Sequence, residues 1–370
     1  MIVGRINLKK IIIQTRNKTY PVYIGDSILY LLPDLITNLG LNKNIFIVVD
    51  ENVLGIYKEY IKNAFRDYDS KIHFHKLDSG ESSKSFNQLT KIFSSLIEKK
   101  YGRDTLLIAI GGGVAGDLSG YAAASYMRGI QLVHVPTTII SASDSAIGGK
   151  TGINFNKLKN IIGAFYQPEL VLIDTKFLAS LPVKEVNSGA GELIKYAFLT
   201  NKNFYNYINR NFNKIYSFDP VVLNKLIYES VLFKGSVVEK DEKESGLRKI
   251  LNFGHTFAHA FESQANLKLK HGEAVIAGII SALHLSNKKG LLTKKDLKEL
   301  VKLPLKVKLP VDFLSTDFNS IINFMKGDKK NREGQIRFIL LSGIGKIITD
   351  VVAKKEDVRY AIEETHKTLM

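Results

Sequence analysis

The chain has 370 residues, 45% hydrophobic and 24% charged, and its 52 Lys and Arg against 36 Asp and Glu give a formal charge of +16. This length accommodates two or three domains, and the composition excludes collagen-like, low-complexity and disordered chains. Cysteine is absent, so disulfide frameworks, thiolate zinc sites and cysteine nucleophiles are excluded, and any metal must be held by His, Asp or Glu.

The opening segment, MIVGRINLKKIIIQTRNKTYPVYIG, has no long apolar stretch with a cleavage site. It predicts two short strands around a polar turn, and a cytoplasmic protein is expected. Short apolar runs then alternate with helical spacing: IFIVVD at 45–50, KIHFHKL at 71–77, TLLIAI at 105–110, QLVHVP at 131–136 and LVLID at 170–174. This alternation predicts a parallel α/β sheet.

TLLIAI runs directly into GGGVAGDLSGYAAASY, a strand followed by Gly111-x-Gly113-x-x-Gly116 and a helix. Glycines at such a turn let backbone amides approach a pyrophosphate, which points to a dinucleotide; the plainer reading is a tight strand-to-helix turn. The acid expected about 20 residues later for a ribose hydroxyl is missing from QLVHVPTT, but Asp50 at the end of IFIVVD can supply it from a neighbouring strand. Next, SASDSAIGGKTGINFNKLKNIIGAFYQP sets Asp144, Lys150, Lys159 and Asn160 among glycines. It reads either as a surface loop or as an anion-binding loop at a strand's carboxyl end.

From about residue 180 the apolar runs lengthen and take helical spacing, with Asp219-Pro220 as a helix start. The strand-like pair QIRFILL and KIITDVV closes the chain. The expected fold is therefore α/β: a Rossmann-like, parallel-sheet domain over 1–178, then a mainly α-helical domain over 179–370. The most apolar stretch, AVIAGIISALHLS at 274–286, is too short to span a bilayer, so no membrane partner is expected.

His255 and His259 in LNFGHTFAHAFE are four apart and share a helix face, and His271 follows in LKHGEAV. Paired histidines are commonly structural. With few histidines and no cysteine, however, a carboxylate such as Glu192 in GAGELIKY can complete a Glu/His/His zinc site with an open position. Spacing alone leaves open which two histidines bind. The excess positive charge lies largely in scattered pairs such as Lys99-Lys100, Lys288-Lys289 and Lys294-Lys295, a solvated surface rather than a nucleic-acid stripe.

Taken together, SGESSK, GGGVAGD, YMRGI, VPTT, SDSAIGGKTGIN, KNIIGAFYQP, GAGELIKY, DEKESGLR, LNFGHTFAHAFE, KHGEAV and GDKK resemble the 3-dehydroquinate synthase family of sugar phosphate cyclases, from about Asp50 to Lys330. The resemblance implies a cytoplasmic homodimeric lyase of the shikimate pathway that converts 3-deoxy-D-arabino-heptulosonate 7-phosphate to 3-dehydroquinate and phosphate. It makes Glu192, His255 and His271 the ligands of one zinc or cobalt ion and leaves His259 for substrate phosphate and proton transfer. For NAD it implies Asp50, Ser79, Gly80, Glu81, Ser82, Ser83, Lys84, Gly112, Gly113, Val114, Ala115, Gly116, Asp117, Thr137, Thr138, Lys150, Lys159 and the turn Phe177, Leu178, Ala179, Ser180. Substrate phosphate would meet Lys150, Asn160, Asn252, His259 and Lys329 or Lys330, with Arg128 reaching in from a second subunit. Lys234 and Arg248 would take the carboxylate, and Asp144 and Lys195 the hydroxyls. Asp144, Lys150, Lys195 and His259 are the expected catalytic residues. The alternatives are another sugar phosphate cyclase and a metal-dependent NAD polyol dehydrogenase, although a neutral polyol has no use for Lys150, Asn160, Lys234 and Arg248.

Overall fold

The apolar runs of the first half form one sheet, whose central strands are apolar on both faces and bounded by polar or glycine residues. The computed structural model describes residues 8–156, 158–264, 269–310, 318–327 and 336–370. Its strands are β1 (Lys9–Gln14), β2 (Thr19–Gly25), β3 (Asn44–Asp50), β4 (Ile72–Leu77), β5 (Thr105–Gly111), β6 (Gln131–Pro136), β7 (Lys150–Phe155), β8 (Leu158–Phe165), β9 (Leu170–Asp174), β10 (Arg337–Gly343) and β11 (Lys346–Val352). The large sheet has the order β1-β2-β9-β6-β5-β3-β4, with β1 antiparallel to β2 and the other neighbours parallel. β5 and β9 are buried throughout, as central parallel strands covered on both faces are.

The chain divides into two compact units, residues 1–181 with 218–243, and residues 182–217 with 244–370. The excursion 218–243 was expected in the second domain. Its helix Pro220–Lys240, capped by Asp219 on the Val222 amide at 3.0 Å, instead lies against β1 and β2 in the first unit. A Cβ on Gly235 would strike Ile13, Lys9 sits over the Tyr228 ring, and the Gln14 amide donates to Glu239 at 2.9 Å. The helix thus covers β1, the antiparallel edge strand of the sheet.

The glycine-rich stretch after β6 also differs from the expected loop. It folds as the antiparallel hairpin β7–β8, in which Gly152 pairs with Gly163; a Cβ on either would strike the other strand's backbone. Thr151 packs on Gly120 of the helix Gly113–Ser125, fixing the hairpin to that helix.

The second unit is built around the helix His271–Lys288, buried from Gly272 to Ser286. Helices Val183–Leu199, His255–Gln264 and Lys355–Leu369 pack on it, as does β10 of the β10–β11 hairpin. Among the described residues no helix is long and apolar enough to cross a membrane.

Candidate metal centre and cofactor turn

Close helix crossings bring the metal-binding candidates together. In the second unit, a Cβ on Gly191 would land on the Gly272 carbonyl and one on Gly272 on the Ser188 carbonyl, so helices Val183–Leu199 and His271–Lys288 touch backbone to backbone. Gly254 and Gly278 make the same kind of contact, with Gly254 at φ +79. Each of the three candidates adjoins one of these glycines: Gly191-Glu192, Gly254-His255 and His271-Gly272.

The result is a cluster in which one ligand atom from each of Glu192, His255 and His271 lies within 4.8 Å of the others. His271 Nε2 is 3.2 Å and His255 Nε2 3.5 Å from Glu192 Oε1. His255 Nδ1 faces the Phe253 carbonyl at 3.2 Å, and His271 Nδ1 faces a Glu262 carboxylate oxygen at 3.3 Å. With each Nδ1–H donated to those acceptors, both Nε2 lone pairs point at a carboxylate oxygen. Three acceptors facing one another require a cation between them, which is the donor set of a Glu/His/His divalent-metal site.

The electrostatics of His255 and Glu192 agree with that reading. Burial pushes the His255 imidazole down to about 4, leaving it neutral and able to ligate. Burial opposes ionisation of Glu192, but Lys195 and the two imidazoles override it and hold its carboxyl well below the usual range. Burial would lower His271, but its bonds to Glu192 and Glu262 raise it to about 10, so without an ion its Nε2–H donates to Glu192, and a metal must displace that proton to bind there. Lys195, 2% exposed, pairs with Glu192 Oε2 at 2.5 Å, leaving Oε1 to the imidazoles. His259 is outside the triad, its ring 5.5 Å from that of His255 and 6.4 Å from that of His271.

Glu262 lies in the same segment, LNFGHTFAHAFE, as His255 and His259. Its carboxylate orients His271, so Glu262→Gln should weaken metal binding about tenfold to a hundredfold without changing the ligand set. Chelator competition measures this; an unchanged metal dissociation constant would show that Glu262 does not serve the site.

In the first unit, β3 and β5 are parallel neighbours whose onward connections run to opposite sides, to β4 and β6. The crevice at their carboxyl ends is the ligand position of an open α/β sheet. Here Gly111 ends β5 beside Asp50, and the helix Gly113–Ser125 starts from Gly112 with no side-chain cap, an N-terminus suited to an anion. Asp50 caps the helix Glu51–Ala64 and accepts the Ser79 hydroxyl at 2.9 Å, while the Ser79 amide donates to Glu51 at 3.0 Å. Lys84, 4% exposed, pairs with Asp117. The Thr137 amide bonds the Gly111 carbonyl at 2.9 Å, and Thr138 packs against Gly112. These residues fit a dinucleotide: glycines at the turn, helix amides, and an acid at the adjacent strand end.

Other candidates are placed as follows. Ser82 and Ser83 lie in the short turn Glu81–Ser83, and Val114 and Ala115 in the first turn of the glycine-led helix. Lys234 pairs with the Asp144 carboxylate at 2.7 Å and its carbonyl at 2.8 Å, so two residues given separate roles neutralise each other inside the first unit. Lys150, Lys159 and Asn160 lie exposed on the β7–β8 hairpin, and Arg128 is exposed with φ 69. Phe177 packs against Tyr57 and Tyr60, and Leu178 is fully buried. Of that turn, Ala179 and Ser180 are exposed. In the second unit Arg248 is 1% exposed, and Asn252 donates to Glu244 at 3.0 Å. Lys329 and Lys330 lie outside the described residues.

Residues 74–188 match the 3-dehydroquinate synthase N-terminal family model and residues 189–331 the C-terminal one. The chain is 41% identical over 352 residues to the 3-dehydroquinate synthase of Pelagibacter ubique, covering 93% of this chain and 94% of that protein. Among solved structures, it resembles 2-deoxy-scyllo-inosose synthase complexed with carbaglucose-6-phosphate, NAD+ and Co2+ at 27% identity and TM-score 0.86, over 96% of this chain and 99% of that one. It also resembles the 2-epi-5-epi-valiolone synthase of Streptomyces hygroscopicus subsp. jinggangensis with NAD+ and Zn2+ bound, at 25% identity and TM-score 0.87, over 96% and 98%.

Proposed function

The chain belongs to the 3-dehydroquinate synthase family, and from that premise we propose that it converts 3-deoxy-D-arabino-heptulosonate 7-phosphate to 3-dehydroquinate and inorganic phosphate. The observation that carries this reading is the convergence of Glu192, His255 and His271 in a chain that also holds a glycine-led dinucleotide turn. The overall change is redox-neutral: a hydride leaves one ring carbon, phosphate is eliminated across the adjacent C–H, the hydride returns, the ring opens, and an intramolecular aldol step closes the carbocycle.

A divalent zinc or cobalt ion held by Glu192, His255 and His271 supplies the Lewis acidity that lowers the pKa of the substrate hydroxyl. NAD held along Asp50, the Ser79 to Lys84 segment and the Gly112 to Asp117 turn supplies the hydride acceptor and donor. The protein's own groups do the remainder. Lys195, paired with Glu192, binds substrate hydroxyl, as Asp144 does. His259, next to the metal triad but outside it, receives and returns protons near the phosphate. Lys150 and Asn160 hold phosphate, and Arg248 and Lys234 hold carboxylate by charge-assisted hydrogen bonds. The proposed protein is a cytoplasmic homodimer with no nucleic-acid or membrane partner.

The second reading, another sugar phosphate cyclase, is favoured by the similarity to 2-deoxy-scyllo-inosose synthase. Turnover of the heptulosonate phosphate against glucose 6-phosphate separates the two. At least a hundredfold preference for the acidic substrate is expected; equal or reversed preference would assign the chain to the other cyclase activity. Arg248→Ala should lower kcat/KM by roughly tenfold to a hundredfold for the acidic substrate, since hydrogen bonds to charged groups are worth about 1.5–3 kcal/mol. It should leave inhibition by an analogue lacking the carboxylate unchanged.

A further inference from the structure

Asn154 is the last residue of SDSAIGGKTGIN and carries no role in the function proposed above, yet three of its groups are engaged. Its side-chain amide donates to Glu81 Oε1 at 2.7 Å, its side-chain carbonyl accepts the Asn160 backbone N–H at 2.9 Å, and its own backbone N–H donates to the Lys84 carbonyl at 2.8 Å. It therefore ties the Glu81 to Lys84 segment of the cofactor crevice to the tip of the β7–β8 hairpin, where Asn160 sits in the left-handed region at φ 53.

Only an amide suits this position. Glu81 offers acceptors and the Asn160 backbone offers a donor, so the linking group must donate on one side and accept on the other, as a planar carboxamide does. The bond to the Asn160 N–H also holds a backbone conformation that a non-glycine residue rarely adopts without local support. The hairpin itself is held elsewhere by Thr151 on Gly120 and by the Gly152–Gly163 pairing, so this amide governs the tip rather than the body.

We propose that Asn154 is a positioning residue that fixes Glu81 for the dinucleotide and Asn160 for the phosphate group at once, without touching either ligand. The inference rests on the cofactor and phosphate assignments of the proposed function. Removing the side chain should therefore weaken two ligands that it does not contact, while the backbone bond to Lys84 survives.

The test measures the dissociation constants of NAD and of inorganic phosphate by calorimetry in the full-length wild type, Asn154→Ala, Asn154→Asp, Glu81→Gln and the double variant Asn154→Asp/Glu81→Gln. Asn154→Ala should weaken NAD about tenfold to a hundredfold, through the lost charged bond to Glu81, and phosphate about two- to tenfold, through the lost neutral bond to the Asn160 amide. Asn154→Asp should be worse for NAD, since it sets two carboxylates face to face. Adding Glu81→Gln should then restore affinity to within about threefold of Glu81→Gln alone, because donor and acceptor have exchanged sides. A residue that merely supports the fold would lower Tm without this reciprocal rescue. Wild-type affinities in Asn154→Ala, or simple additivity in the double variant, would overturn the proposal while leaving the cofactor reading intact. A wild type that binds no NAD would bring down both.

Discussion

His255→Ala and His271→Ala should each abolish stoichiometric metal binding and lower turnover by a thousandfold or more. The magnitude follows from the chemistry: Lewis-acid stabilisation is worth several kcal/mol, and each 1.36 kcal/mol is about tenfold in rate. Both imidazoles aim Nε2 at Glu192 Oε1, and neither has a replacement among the described residues. His259→Ala should keep its metal and lose roughly a hundredfold to ten-thousandfold in turnover, as expected on removing a proton-transfer group. Metal content by elemental analysis and turnover with added zinc or cobalt measure both effects. Loss of metal in all three variants alike would mean that the wrong pair of histidines has been assigned. Full activity after rigorous chelation would remove the metal from the mechanism.

Gly272→Ala should be the most damaging single-methyl change in the second unit. Its Cβ would meet the Ser188 carbonyl, and backbone, unlike a flexible side chain, cannot step aside. Overpacking costs about 1–3 kcal/mol and more where the structure cannot relax. A fall in Tm of about 5 °C or more is expected in metal-free protein, together with weakened metal binding, since His271 would move with the helix. Gly55→Ala provides the contrast. Gly55 lies within the helix Glu51–Ala64 with nothing near its missing Cβ, so the change should stabilise by about 0.5–1 kcal/mol. Thermal melts of the two variants decide; equal tolerance would show that the helix crossing is not tight.

The parallel strands were legible because their β-branched runs fall at β3, β4, β5, β6 and β9, and the turn after β5 announced itself by its glycines. The packing of the helix Pro220–Lys240 on β1 was not, because it depends on Gly235 meeting Ile13, more than 200 residues away in sequence. The β7–β8 hairpin was hidden for a different reason: its glycines serve close strand pairing, and in sequence they look like a loop. At the metal centre the residue types and the resemblance named Glu192, His255 and His271. The helical spacing alone would equally have allowed His259. Among the described residues, it is Glu192, His255 and His271 whose ligand atoms come within 4.8 Å of one another. Glu262 could have been found as the carboxylate seven residues, two helical turns, after His255. Asn154 could not, since its partners Glu81 and Asn160 lie on separate segments.

In the proposed reaction NAD is a returning catalyst rather than a consumed oxidant. Phosphate release from 3-deoxy-D-arabino-heptulosonate 7-phosphate, followed with and without NAD alongside absorbance of NADH, tests it directly. Release should require NAD, with many phosphates freed per NAD and no lasting rise in NADH. Release without NAD, or NADH accumulating in step with substrate consumed, would contradict it.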